Sequence, residues 1–358
     1  MSLANLLDSL PIPIVQAPMV GAADNRLAIA VARAGGLGTL TLAATPPDEI
    51  AATVAAARAQ VDRPIAANLF VNPPADPAAA TIDAALARLK PWYDQLGAPL
   101  PEHPNRFAPD FAAQFAAVVR AAPAMASFTF GVLARAQVEA LQQAGTYVVG
   151  TANTVAEARA WAEVGADGVC VQGAEAGGHR GAFLADVEES LVGTLALTAT
   201  VVAAVDLPVI AAGGIMDGRG VAAVLALGAK AAQMGTAFLL TDQATTSAPW
   251  RRAIAQAPDD PTRLTRAFSG RFARGIENRF MREMRAVERD VPAYPVQNRL
   301  TQPLRAAAAA AGDAEMLSLW AGQAVKLAGP GDAETLVRRW WSEAQAASRA
   351  LAARTGVA

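Results

Sequence analysis

His179 stands in the stretch Glu175-Ala176-Gly177-Gly178-His179-Arg180-Gly181, between glycines on both sides. No helical or strand periodicity accounts for it there, although a lone histidine is often structural. An imidazole in such a loop can take a proton or stabilise charge near pH 7. The other histidine, His103, lies in a proline-rich segment and reads as exposed. Two further glycine clusters follow, Ala212-Gly213-Gly214 and Gly235-Thr236. Glycines let a backbone approach closely and turn N–H groups towards an anion. Asp217-Gly218 then opens a helical stretch whose positive end would face the same spot. The clusters hold no lysine or arginine, so a phosphate there would be met by backbone dipoles and the Thr236 hydroxyl. Tight turns are the plainer alternative, and the repetition of the clusters weighs against it. Glu175 reads equally well as an acid or base and as a solvated loop residue. Cys170, in GVCVQG, reads as a small buried side chain rather than a nucleophile. It is the only cysteine, so there is no disulfide framework and no CxxC site, and no metal is expected. HExxH, GxSxG and P-loop lysine motifs are absent.

The elements around these residues repeat. Short apolar runs at 12–17, 37–42, 64–71, 125–130, 146–151, 168–173, 208–213 and 231–239 make eight candidate strands. They are continuously apolar, as strands buried on both faces should be. Ala-rich helical stretches fall at 25–34, 47–60, 134–144, 155–164, 191–204 and 218–227, several ending at a glycine (Gly35, Gly145, Gly165, Gly228). This predicts a (β/α)8 barrel of the α/β class, with the reactive groups at the C-terminal ends of the strands. A doubly wound sheet fits less well, because QAPMVGAADN after the first strand is not GxGxxG. Residues 72–110 are proline-rich and read as an insertion after strand three. Residues 257–305 read as leaving the barrel and folding back over it. The expected organisation is a barrel over 1–256 and a C-terminal lid and helical extension over 257–358. The tail, about 313–348, returns to helical spacing, and Trp320, Trp340 and Trp341 read as packing residues.

Composition bounds the function. Apolar residues are 53% of the 358, mostly through alanine, enough for a large core with helices packed closely on a sheet. A net charge of −2 calls for neither nucleic acid nor an anionic membrane as partner. MSLANLLDSL lacks the basic and apolar regions of a signal peptide, and no apolar run reaches membrane-spanning length. A cytoplasmic protein is expected.

The segments PIVQAPM (13–19), ADGVCVQGAEAGGHRG (166–181) and PVIAAGGIMDGRGVAAVLALGAKAAQMGTAFLLT (208–241) resemble nitronate monooxygenases, formerly called 2-nitropropane dioxygenases. YPVQN (294–298) and SLWAGQ (318–323) resemble the C-terminal region of the class I bacterial members. The middle motifs are shared with the FMN-dependent enoyl-acyl-carrier-protein reductase, so they speak more to cofactor and fold than to substrate.

The resemblance implies a barrel that binds FMN non-covalently. Ala17, Pro18 and Met19 would pack on the flavin ring. Asn68 and Gln172 would hydrogen-bond the ring or ribityl chain. Gly177, Gly178, Gly214, Gly235 and Thr236 would hold the phosphate, with Ala212 and Gly213 in the same cradle. His179 would be catalytic, and Tyr294, Pro295 and Gln297 would lie over the flavin from the lid. Gly150-Thr151-Ala152 departs from relatives that place a lysine near FMN at the end of strand five. The implied reaction oxidises an alkyl nitronate with O2 to a carbonyl product and nitrite, without NAD(P)H. Propionate 3-nitronate is the expected substrate, detoxification the role, and the protein a monomer or weak homodimer. The rival readings are an NAD(P)H-dependent enoyl-thioester reductase, a non-catalytic phosphate-binding barrel, and an IMP-dehydrogenase-like barrel. The last needs a loop cysteine, and Cys170 is in a strand.

Overall fold

The computed structural model describes residues 2–72 and 74–356. In chain order the first six strands are β1 (Ile14–Gln16), β2 (Gly38–Thr41), β3 (Ile65–Phe70), β4 (Met125–Thr129), β5 (Tyr147–Ala152) and β6 (Gly168–Gln172). A two-residue strand β7 (Gly178–His179) is followed by β8 (Val209–Ala212) and β9 (Ala231–Met234). All except β7 form one parallel sheet in the order β1-β9-β8-β6-β5-β4-β3-β2, and a parallel bridge between Val15 and Leu37 closes it. With helices between the strands, this is the (β/α)8 barrel that the apolar runs predict.

Strand residues alternate between two cores. Val15, Ala66, Met125, Val149, Cys170, Ile210 and Ala231 form one buried cluster with Leu3 and Leu7. The helix Leu3–Asp8, capped by the Ser2 side chain, lies at the N-terminal ends of the strands. A Cβ on Gly168, the first residue of β6, would come within 2.5 Å of Leu3 Cδ2. On the outer side Ile14, Leu40, Ala67, Phe128, Val148, Val169, Val209 and Ala232 join the surrounding helices in a larger cluster. Small residues bring those helices close. At Gly150 any Cβ would collide with the Trp161 ring, 1.9 Å away. The alanine excess serves this close packing.

A third buried cluster lies apart from the barrel wall. It joins the helix Ala79–Gln95 to the helices Arg279–Met284 and Val296–Ala311. Trp92 and Phe280 approach to 4.8 Å, Phe268 stacks on Phe280 at 4.5 Å, and the Tyr93 hydroxyl donates to the Leu300 carbonyl at 2.6 Å. The proline-rich segment expected as an insertion therefore carries a helix and packs on the returning C-terminal chain. The helix Phe111–Ala121 was likewise not anticipated from the sequence.

Two more strands, β10 (Thr262–Thr265) and β11 (Ala273–Ile276), pair antiparallel with each other, and β11 pairs with β7. His179 lies opposite Ala273 and Gly178 opposite Arg274. His179 is thus held by a strand pairing with Ala273, far along the chain, where the sequence shows only a glycine loop. The tail also differs from expectation: short 3₁₀ turns precede a single helix, Ala333–Thr355. Its Trp340 packs edge-on against Phe238 of the barrel cluster at 5.1 Å, which places this helix on the outer wall. No helix among the described residues is long and apolar enough to cross a membrane.

Candidate active site

A cavity opens at the C-terminal ends of the strands. It is lined by all of the candidate residues except Pro295 and Gln297: Ala17, Pro18, Met19, Asn68, Gln172, Gly177, Gly178, His179, Ala212, Gly213, Gly214, Gly235, Thr236 and Tyr294. Its floor is short-chained. Gly213 and Gly214 have φ of 121° and 68°, in the left-handed region that favours glycine. Gly177 is required for another reason: a Cβ would lie 2.5 Å from the Ala321 carbonyl carbon and the Gly322 nitrogen, where the C-terminal chain crosses. The Gly322 N–H donates to Thr236 Oγ1 at 2.9 Å, which leaves the Thr236 hydroxyl proton free for another acceptor. Asn68 donates from Nδ2 to Ser127, while its buried Oδ1 has no partner among the described residues. The indole N–H of Trp250, also at the cavity, is likewise buried without an acceptor.

The expected helix N-terminus does not serve this floor. The Asp217 side chain caps its own helix by accepting from the N–H groups of Arg219 and Gly220. Gly218 N–H donates to Glu343 of the C-terminal helix at 3.2 Å. Asp217 and Gly218 are not among the cavity-lining residues. The helix end is satisfied within the protein and offers its N–H groups to Asp217 and Glu343 rather than to the floor.

His179 forms part of the cavity wall and is half-buried. Its ring meets Phe130 at 5.6 Å, Tyr294 at 5.7 Å and Trp320 at 5.5 Å. Nε2 lies 2.8 Å from Ser269 Oγ, and that hydroxyl donates its proton to the Arg271 carbonyl at 2.9 Å. Ser269 must therefore accept, so the Nε2 atom carries the proton and Nδ1 presents a lone pair. The strand end holds the same residue from below: Gln172 Nε2 donates to the His179 carbonyl at 2.9 Å, and Gln172 Oε1 accepts from Gly181 N and Asn153 Nδ2. Burial, then the positive charges of Arg271 and Arg305, lower the His179 pKa to about 3. The imidazole is neutral throughout the physiological range.

Two guanidinium groups act on that ring. Arg305, from the helix Val296–Ala311, lines the cavity. Its donors go to the carbonyls of Thr301 and Asn298, to Asn298 Oδ1 and to Ser318 Oγ. Arg271 stacks over the Phe130 ring at 4.2 Å and donates to the carbonyls of Arg180 and Ala182. Among the described residues neither makes an ion pair with a carboxylate within 4.0 Å. The acid that acts on Arg271 from further off is Glu157. Its buried carboxylate accepts from the N–H groups of Asn153, Phe183 and Leu184, which ties down the chain after His179. Burial pushes the pKa of both arginines down to about 10, so both remain charged near neutral pH.

Several expectations are corrected by this geometry. Gln297 turns away from the cavity: it is buried and donates to the Ala267 carbonyl at 2.8 Å, and Asn298 lines the wall instead. Trp320, read as a packing residue from its helical spacing, faces the cavity and contacts His179. Glu175 is a structural acceptor, binding Thr194 N and Oγ1 at the start of the helix Thr194–Val202. At the end of β5, where relatives would place a lysine, Thr151 reaches the cavity and shares a hydrogen bond with Thr129 at 3.2 Å. Cys170 does lie in a strand beside the cavity, and burial pushes its thiol up to about 12, so it stays protonated. Sequence reasoning missed Phe130, Ser269, Asn298 and Arg305. Phe130 alone carries a local oddity, a non-glycine φ of 84° directly after β4, and this is invisible in the sequence.

The family model described as nitronate monooxygenase matches residues 4–342. A Staphylococcus aureus protein named probable nitronate monooxygenase is 38% identical over 330 residues, spanning 92% of this chain and 93% of the relative. The crystal structure of nitroalkane oxidase from Streptomyces ansochromogenes superposes with a TM-score of 0.89 at 41% identity, covering 97% of this chain and 99% of that one. FabK from Thermotoga maritima is more distant, with a TM-score of 0.75 at 26% identity over 98% of each chain. A match of this extent, on a barrel with a histidine and glycine loops at its strand ends, shows that the chain is an oxidoreductase belonging to the nitronate monooxygenase family.

Proposed function

We propose that the chain binds FMN non-covalently at the strand ends and oxidises alkyl nitronates, propionate 3-nitronate foremost, with O2 to a carbonyl product and nitrite. One observation carries the substrate half of this reading: the cavity wall holds a neutral His179 and Arg305, with Arg271 behind them, and neither guanidinium group has an ion-pair partner among the described residues. Such a wall favours an anion, and a nitronate is the anion of a nitroalkane.

The residues present fit the cofactor. Ala17, Pro18 and Met19 offer a flat apolar edge for a ring system. The unpaired Asn68 Oδ1 can accept an N–H, and the Thr236 hydroxyl can donate to a phosphate oxygen beside Gly214 and Gly235. When bound, FMN supplies the redox chemistry, accepting electrons from the substrate and passing them to O2. The protein's own part is positioning and electrostatics. Arg271 and Arg305 hold positive potential over the cavity. His179 offers Nδ1 as a hydrogen-bond acceptor in a ring fixed by Ser269 and by three aromatic neighbours. Tyr294 and Trp320 line the same cavity with aromatic surface. An imidazole with a pKa near 3 is a weak base, so the wall is better suited to a preformed nitronate than to removing an α-proton.

The test is aerobic turnover of propionate 3-nitronate, with nitrite release and O2 uptake measured together and the released cofactor identified by chromatography. Nitrite formation with FMN in the denatured extract supports the reading. Release of FAD counts against the cofactor assignment. Rapid anaerobic bleaching of the bound cofactor by NADPH, without nitronate turnover, favours the enoyl-thioester reductase. The arrangement of 1–256 as the cofactor-binding barrel and 257–358 as lid and extension belongs to the same proposal.

A further inference from the structure

We propose that Arg305 is the anion receptor of this cavity and sets its specificity, holding a planar two-oxygen anionic group of the substrate, either the nitronate itself or a carboxylate at the other end of a short chain. The inference deepens the reading above and rests on it for the identity of the substrate, though not for the binding of an anion.

Arg305 is positioned by its own element and by its neighbour. Nε donates to Thr301 O at 3.4 Å, Nη2 to Asn298 O and Oδ1 at 3.0 Å each, and Nη1 to Ser318 Oγ at 3.3 Å. Every one of these acceptors is neutral, and one N–H on Nη1 has no acceptor among the described residues. The guanidinium is therefore held by uncharged oxygens and left without a counter-charge, in a residue that lines the cavity. Taking a charge out of water without a counter-ion is costly, and the cost is recovered when a ligand supplies that counter-ion. The groups around it do not: His179, Tyr294, Trp320 and Asn298 are uncharged at neutral pH, and Arg271 is a second cation. Arg305 is presented to the ligand space by the helix Val296–Ala311.

The chemistry of the guest follows from the shape of the host. A guanidinium is a flat fork that matches two coplanar oxygens, as in a carboxylate or a nitronate. The rings of Phe130, Tyr294 and His179 stand within 5.3–5.7 Å of one another and form one apolar patch of the cavity lining, against which the chain that carries the oxygens can be apolar.

The first test uses the wild-type, cofactor-loaded protein and two unreactive probes of nearly equal shape, propionate and propionamide. By calorimetry, propionate should bind at least about 10-fold more tightly than propionamide, the difference expected for one charge-assisted contact. Equal affinity overturns the proposal, whether or not the enzyme turns over nitronates. The second test compares Arg305→Gln and Arg305→Lys in kcat and KM. In Arg305→Gln, KM for an anionic substrate should rise about 10- to 100-fold while kcat changes by less than about 3-fold. Arg305→Lys should fall between that variant and wild type. A folded Arg305→Gln protein with unchanged KM and unchanged propionate binding refutes the assignment. Propyl-1-nitronate and propionate 3-nitronate then separate the two sources of the anion. Equal losses place Arg305 on the nitronate, and a loss confined to the carboxylated substrate places it on the carboxylate. If Arg305→Gln does not fold, the probe pair on wild type decides alone. Absence of nitronate turnover in wild type would sink the proposed reaction and leave the calorimetric result standing.

Discussion

The floor and the wall of the cavity are built on different principles. The floor is made of strand ends and the turns just after them: Ala17, Ala212, Gly213, Gly214, Gly235 and Thr236. Its chemistry is carried largely by backbone and by small side chains, and each group lies within a few residues of the strand that positions it. The wall is made of long side chains from Phe130, His179, Tyr294, Arg305 and Trp320, brought together from segments far apart in the chain. Ser269 and Arg271 stand behind it. The floor is electrically neutral, whereas the wall carries the cation Arg305 with a second, Arg271, behind it. On the proposed function, binding and chemistry would be divided between them: the barrel would supply the receptor for a cofactor, and the helix Val296–Ala311 with the β7–β11 pairing would supply the field in which a substrate reacts.

Substitutions that strike one region and spare the other should separate these roles. The largest effect is expected on the floor. In Gly235→Asp the new Cβ would face Ala17 and Met19, at 3.3 and 3.6 Å, and would carry a carboxylate into a site suited to an anion. The purified protein should be colourless, with bound flavin below about a tenth of wild type. Full flavin occupancy in that variant would show that the floor is not the cofactor site.

His179→Ala strikes the wall. Flavin content should be retained, and kcat/KM for a preformed nitronate should fall roughly 10- to 100-fold through loss of the Nδ1 contact and of ring packing. Turnover of a neutral nitroalkane needs removal of the α-proton. It should be slow already in wild type and, where measurable, fall by roughly 10²–10⁴. Loss of flavin from this variant would erase the distinction between the two regions.

A smaller effect is expected at Ser269, which fixes the His179 tautomer without touching the cavity. Ser269→Ala should lower kcat/KM by about 3- to 10-fold at unchanged flavin content. Ser269→Thr, which keeps the hydroxyl acceptor, should restore most of it. Failure of threonine to restore activity would indicate that packing, not the hydrogen bond, is what matters there.

The smallest effect expected is the absence of one. With its pKa lowered to about 3, His179 does not titrate between about pH 5 and 8, and kcat/KM should show no inflection near about 6.5 that disappears in His179→Ala. The same shift affects stability. The unfolded chain protonates this histidine below about pH 6.5, whereas the folded protein resists until about pH 3. The unfolded state thus binds more protons within that window, so stability should decline as pH falls through it. Acid denaturation of His179→Ala should be shallower across the same range, and superimposable curves would contradict the buried neutral imidazole.

The amino-acid sequence was sufficient for the barrel, for the position of its strands to within about two residues except the last, expected over 231–239 and ending at Met234, and for the residues that line the floor. These features are local. A strand buried on both faces is largely apolar along its length, and a turn with a left-handed φ or a close backbone approach favours glycine where it occurs. His179 was also legible, because a histidine among glycines has no packing role that a local pattern could supply. Its strand pairing, tautomer and depressed basicity were not. They depend on Ser269, Arg271 and Arg305, which reach it through contacts across 90 or more residues. Nothing near Arg305 in the chain distinguishes it from the many exposed arginines between 257 and 305. It becomes a candidate receptor because helix packing turns it inward among neutral acceptors. Trp320 was misread for the related reason that its spacing suits a helix that does not form, the segment being drawn across the barrel mouth by Gly177, Thr236 and β11. The helix after Gly213-Gly214 failed in the opposite direction. Its N-terminus looked free in sequence, and in the folded protein Asp217 and Glu343 had already satisfied it. Periodicity and turn chemistry record what a residue does to its own segment, whereas charge compensation is settled only when distant segments meet.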